Sequence, residues 1–142
     1  MSESMILLVE DDPDHEALAI RALRKANVAN EIRVAHDGAE ALDYVNGIVK
    51  GEQRMPQLVL LDLKLPKVEG LEVLRAIRAA DKTSLLPVVI LTSSDEERDI
   101  VSSYRLGVNS YIRKPVNFND FAEATRQLGM YWLLLNQCPP PQ

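Results

Sequence analysis

The stretch LVLLDLKLPKVEG, residues 58–70, carries the reading of the fold. It opens on an unbroken apolar run, too short for a helix and lacking the alternation of a half-exposed strand. Such a run suits a strand over 58–62 that is covered on both faces, as in a parallel sheet. Asp62 stands at the end of that run, with Leu63 and Leu65 just behind it. A carboxylate in this setting must be desolvated, share a cation, or emerge at the strand terminus. After Gly70 comes LEVLRAIRAAD, in which Val73, Ile77 and Ala80 form one helical face against Glu72, Arg75 and Arg78.

The same strand–helix unit recurs in both directions. MILLV (5–9) reads as a first buried strand, and Pro13 as a first-turn residue with Asp12 or Asp14 at the helix N-terminus. That helix sets Ala19, Ala22, Leu23 and Ala26 against Arg21, Arg24 and Lys25. EIRVA (31–35) is the second strand, and Asp37-Gly38 turns the chain into AEALDYVNGIV, a helix ending near Gly51. PVVILTS from Pro87 is the fourth strand, and DEERDIVSSYRLG (95–107) a helix stopped by Gly107. SYIRK (110–114) is the fifth strand, and an apolar stripe at 118, 121, 122, 125, 128 and 132 marks a last helix. Five alternations predict an α/β fold with a five-stranded parallel sheet covered on both faces. No linker or repeat divides the 142 residues, so a single domain over 1–142 is expected, with a frayed end at PPP, 139–141.

Bulk composition narrows the function. Hydrophobic content of 46% and charged content of 26% are those of an ordinary soluble protein. A net charge of −5, from 21 acids and 16 bases, argues against broad nucleic-acid binding. Met1-Ser2-Glu3-Ser4 is polar and does not open a signal peptide. No apolar run approaches the roughly 20 residues that span a bilayer. Cys138 is the only cysteine, which rules out an intrachain disulfide and a cysteine-based metal site. A cytoplasmic protein with no membrane attachment is expected.

Open parallel sheets bind ligands beyond the carboxyl ends of their strands. Those ends deliver Glu10-Asp11-Asp12 from the first strand, Asp62 from the third, Thr92-Ser93-Ser94 from the fourth and Lys114 from the fifth. The second ends blandly in Ala35-His36. Carboxylates from the first and third strands repel unless a cation sits between them, and hard oxygen donors suit Mg²⁺. Lys114 then supplies a point charge for a phosphoryl oxygen and Thr92 a hydroxyl donor. Asp62 is left as a carboxylate nucleophile able to form an acyl phosphate. Taken alone, each of these residues has an ordinary reading as a helix cap, a β-former or a surface turn. Their coincidence on four strands of one alternation is what points to a site.

VEDD at 9–12, DLKLPKVEG at 62–70, ILTSSD at 90–95 and YIRKP at 111–115 carry a resemblance. From about Met5 to Leu128 the chain resembles the receiver domain of bacterial two-component response regulators. The resemblance implies a flavodoxin-like, doubly wound (βα)5 fold with strand order 2-1-3-4-5, the order already known for a member of the same family. It implies Asp62 as the residue phosphorylated by a histidine kinase, Asp11 as a direct Mg²⁺ ligand, Glu10 acting through water, and the Lys64 carbonyl as a further ligand. Thr92 and Tyr111 would be a switch pair, Lys114 the phosphate contact, and the signal a change in the surface of the fourth helix, fifth strand and fifth helix. DGAEALDYV, SYRLGVNSYIRKPVNF and the terminal YWLLLNQCPPP further resemble the small stand-alone regulators paired with bacterial phytochrome kinases. Two departures stand out: Glu10 is longer than the aspartate common in receivers, and Lys64 replaces an Asn frequent in the subgroup.

No helix-turn-helix or basic tail is present, so DNA contact is not expected. The uncharged segment 127–142 holds Leu128, Met130, Tyr131, Trp132 and Leu133 to Leu135, more than one helix face can use. It either folds back or self-associates, and an apolar extension at about 129–142 is expected to support a homodimer. Two other functions compete. A phosphatase forming an aspartyl phosphate on small esters would want an acid two residues after its nucleophile, where Lys64 stands. A flavin module would want a Ser-, Thr- or Gly-rich loop where EDDPD stands. A receiver serving only as a phosphate sink, with no output partner, is a further alternative. The expectation is a signalling acceptor that acts on itself and is not a turnover enzyme.

Overall fold

The computed structural model describes residues 5–25, 30–92, 104–108 and 110–113, with Thr92 and the last four given by their backbone course. Five strands form one parallel sheet: β1 (Met5–Val9), β2 (Glu31–Ala35), β3 (Leu58–Leu61), β4 (Val88–Thr92) and β5 (Ser110–Arg113). Their order is β2-β1-β3-β4-β5, as the resemblance implied. Three helices are described in full: α1 (Pro13–Lys25), α2 (Gly38–Val49) and α3 (Gly70–Ala79). The expected helix at 95–107 lies outside the described residues except for a helical turn at Tyr104–Arg105, and the last helix and the 129–142 extension lie wholly outside them.

The buried strands sort their side chains by parity, because successive residues of a strand face opposite sides of the sheet. Met5, Leu7, Val9, Val59, Leu61, Val88 and Ile90 enter a core with Val45 and Ile48 of α2 and Val73, Leu74 and Ile77 of α3. Ile6, Leu8, Leu58, Leu60, Val89 and Leu91 enter a second core with Ala19 and Leu23 of α1. Two cores, one on each face, explain why β1 and β3 read as continuous apolar runs. β2, at the edge, exposes Glu31 and Arg33, charges that discourage pairing with another chain.

Helix starts follow local chemistry. Asp12 Oδ1 accepts from the N–H groups of Asp14 at 2.8 Å and His15 at 3.3 Å, so Asp12 and not Asp14 caps α1. Asp37 caps α2, accepting from the Glu40 N–H at 2.8 Å. α3 ends one residue before Ala80, whose extended backbone begins the turn to β4, and Leu74 joins Val73 and Ile77 on its buried face. No helix among the described residues is long and apolar enough to cross a membrane.

Candidate functional site

Strand register builds the site. β1 and β3 pair Val9 with Leu61, so the next residues, Glu10 and Asp62, leave the sheet side by side. The Asp62 N–H still donates to the Val9 carbonyl at 3.1 Å, and the Glu10 N–H to Ala35 at 3.0 Å, which holds both backbones in the ladder's plane. Glu10 is only 2% exposed and Asp62 only 5%, whereas Asp11 is open to solvent. A carboxylate oxygen from each of the three lies within 4.8 Å of the others. Asp62 thus stands at the strand terminus and is nonetheless buried among acids.

Backbone donors orient two of these groups. Glu10 Oε2 accepts from the Asp12 N–H at 3.2 Å, and Asp62 Oδ1 from the Lys64 N–H at 3.1 Å. The latter bond fixes the rotation of the Asp62 carboxylate, while the Lys64 residue itself is exposed. Beyond Lys64 the loop folds back on its own start. The Gly70 N–H donates to the Leu63 carbonyl at 3.0 Å, and a Cβ at Gly70 would lie 2.3 Å from the Asp62 carbonyl oxygen. Only glycine allows that approach.

A second tie comes from α2. Lys67 has a positive φ of 69°, rare for a residue with a side chain, and its Nζ lies 3.3 Å from Asp37 Oδ2. The Gly38 N–H donates to the Pro66 carbonyl at 3.3 Å. Asp37 is buried, and its carboxyl is held below the ordinary range by the Glu40 N–H first and by Lys67 after it. The loop bearing Asp62 is therefore fastened to the head of α2. Sequence reading missed this latch: Asp37-Gly38 read only as a turn, and Lys67 carried no signal beyond following a proline.

Adjacent buried carboxylates are costly to keep charged without a counter-ion. Oxygen ligands around a hard divalent cation sit about 3 to 4 Å apart, so this cluster needs little adjustment to hold one. The donor set, all carboxylate oxygen, fits such an ion and not a soft metal. Of the other residues expected at the rim, Thr92 ends β4, paired with Arg113, and Tyr111 lies in β5 opposite Ile90. The side chains of Thr92 and Tyr111, and Lys114 altogether, lie outside the described residues.

Comparison with known proteins agrees with this geometry. The family model of the response regulator receiver domain matches residues 6–126. The solved bacteriophytochrome response regulator AtBRR is 51% identical, with a TM-score of 0.82 over 96% of this chain and 100% of its own. Rcp1 of Synechocystis sp. is 36% identical over 91% of this chain and 88% of its own length, and the Mn²⁺-bound crystal structure of Rcp1 superposes with a TM-score of 0.76. The "Probable methanogenesis regulatory protein FilR2" of Methanothrix harundinacea is 40% identical over 96% of this chain and 88% of its length. With a family match across most of its length and the acidic rim where that fold places its ligands, the chain belongs to the response regulator receiver domain family.

Proposed function

We propose that this receiver accepts a phosphoryl group from a histidine kinase on Asp62 and passes the change to a partner protein. The observation that carries the reading is the placement of Asp62 at the end of β3, within 4.8 Å of the Glu10 and Asp11 oxygens. In the transfer an Asp62 oxygen forms a bond to phosphorus as the phosphorus–nitrogen bond of phosphohistidine breaks. The imidazole leaves and the product is an acyl phosphate. The Lys64 N–H keeps the carboxylate turned for that attack. Asp11, Asp62, the Lys64 carbonyl and, through water, Glu10 would hold Mg²⁺, which supplies charge neutralisation for the phosphoryl oxygens. Lys114 contacts the phosphoryl group, and Thr92 with Tyr111 forms the switch that repacks the β5 side of the molecule.

The kinase we assign is of the bacterial phytochrome type, a reading supported by the likeness to AtBRR along that protein's whole length. The protein is a cytoplasmic signalling acceptor without turnover of its own, and it dimerises through the apolar segment near its C-terminus. Lys64, standing where a small-ester phosphatase wants an acid, supports the non-enzymatic reading. Incubation with acetyl phosphate and Mg²⁺ tests the core of the proposal. Mass spectrometry is expected to show one added phosphoryl group, absent from Asp62→Asn. Uptake that persists at full rate in Asp62→Asn would move the acceptor elsewhere.

A further inference from the structure

Arg78 reads in the sequence as part of the polar face of α3, yet the structure turns it inward. Its Nε donates to the Leu106 carbonyl at 2.7 Å, and Nη2 to Gly107 at 2.9 Å. Nη1 donates to both Ser84 at 3.0 Å and Leu86 at 2.7 Å. One planar fork thus joins α3, the turn into β4 and the segment into β5, a span no lysine could bridge. Partial burial pushes the guanidinium below its usual value, and the four carbonyls are the partners that offset its lost hydration.

The two sides of this junction are held by different contacts. The turn at 80–86 is already tied to α3: Thr83 is fully buried, its hydroxyl donates to Ile77 at 2.6 Å, and the Leu86 N–H donates to Thr83 at 3.0 Å. The segment 104–108 is different. Gly107, with a positive φ of 73°, ends the helical turn there, and its N–H bonds within that turn, to Tyr104 at 3.0 Å. Among the described residues, the hydrogen bonds that fasten 104–108 to the α3 side all come from Arg78. A depression of about 420 Å³ opens beside it, lined by Arg78, Ser84, Leu85, Arg105, Leu106 and Gly107, while Leu106 packs against the core and Val108, 6% exposed, is buried in it.

β5 depends on that corner. It is four residues long and, at the end of the sheet order, pairs among the described residues with β4 alone. The ladder from Val89↔Ser110 to Thr92↔Arg113 fixes its sliding register, but a one-sided ladder leaves its splay to whatever holds its entry. That entry is 104–108. We propose that Arg78 is a positioning residue of β5: from the pole of the sheet opposite the acidic rim, its fork on Leu106 and Gly107 acts with the buried Val108 to set the course of the strand that carries Tyr111 and precedes Lys114 in the sequence. The inference rests on the receiver reading, in which Lys114 meets the phosphoryl group.

Two functions of the rim should therefore separate. Mg²⁺ binding uses β1 and β3 and should not sense Arg78, whereas phosphoryl uptake uses the end of β5 and should. In Arg78→Gln, uptake from acetyl phosphate at saturating Mg²⁺ should fall about tenfold or more, part of the roughly hundredfold that an ångström's misplacement can cost. Mg²⁺ affinity, titrated calorimetrically on the full chain, should stay within about twofold. Arg78→Lys, which keeps the charge and loses the fork, should fall between, and it carries the measurement if the Gln variant does not fold. A lowered unfolding midpoint with unchanged uptake would reduce Arg78 to a structural clamp and overturn the proposal. So would a parallel loss of Mg²⁺ affinity and uptake, since that marks general loosening. If the parent protein itself takes up no phosphoryl group, the receiver reading fails first and the proposal with it.

Discussion

At the scale of single residues, the rim contains acids with different burial and hence different expected weights. Asp11 is exposed and can move toward a cation, whereas Glu10 is 2% exposed and already engaged by the Asp12 N–H. Asp11→Ala should weaken Mg²⁺ binding by about a hundredfold and Glu10→Ala by about tenfold. A calorimetric titration giving the reverse order would make Glu10 the direct ligand. Under the proposed function, Lys64 would act at a later step. Its backbone N–H serves Asp62 whatever the side chain, and its exposed ammonium, two residues from the proposed acceptor, would be within reach of water approaching an acyl phosphate there. An amide there could orient that water, whereas an ammonium shields the group or pairs with its oxygens. Lys64→Asn should therefore lose its phosphoryl group about tenfold faster at unchanged Mg²⁺ affinity. Equal decay rates would leave the Lys64 side chain without a role.

At the scale of elements, the loop between β3 and α3 is held by chemistry from α2. Asp37 serves two partners at once, capping its own helix through Glu40 and meeting Lys67 at 3.3 Å across the loop. Asp37→Ala should lower the unfolding midpoint by about 3 °C at neutral pH, with Asp37→Asn, which keeps a cap, closer to the parent. The pH dependence has a definite sign. The folded carboxyl titrates below its unfolded value, so its contribution is complete above the ordinary carboxylate range and disappears as pH falls through the lower folded value. Thermal melts of parent and Asp37→Ala should accordingly differ at neutral pH and converge in strong acid. A gap that stays constant across that acid range would show that the carboxylate's charge has no part in the latch.

At the scale of the whole molecule, the proposed dimer places its surplus apolar surface in residues 129–142, where Met130, Tyr131, Trp132 and Leu133 to Leu135 follow one another without a charge. Removing that segment should turn a sedimenting dimer into a monomer without loss of phosphoryl uptake. A truncated chain that still sediments as a dimer would place the interface on the β5 side. The sequence by itself determined the alternation of strands and helices, the two-faced burial of β1 and β3, and the acids at their ends. These are written in local signals: short apolar runs, helical periodicity, and glycine or proline at the breaks. Glu10, Asp11 and Asp62 were legible for the same reason. Their convergence within 4.8 Å was decided by the pairing of Val9 with Leu61, a contact between distant parts of the chain. The Asp37–Lys67 latch and the inward turn of Arg78 were likewise decided only by tertiary structure. Helical periodicity puts Arg78 on the polar face, but its long stem reaches carbonyls as far along the chain as Leu106 and Gly107. Every residue carries a carbonyl, so no residue type in the sequence marks which four will meet a guanidinium.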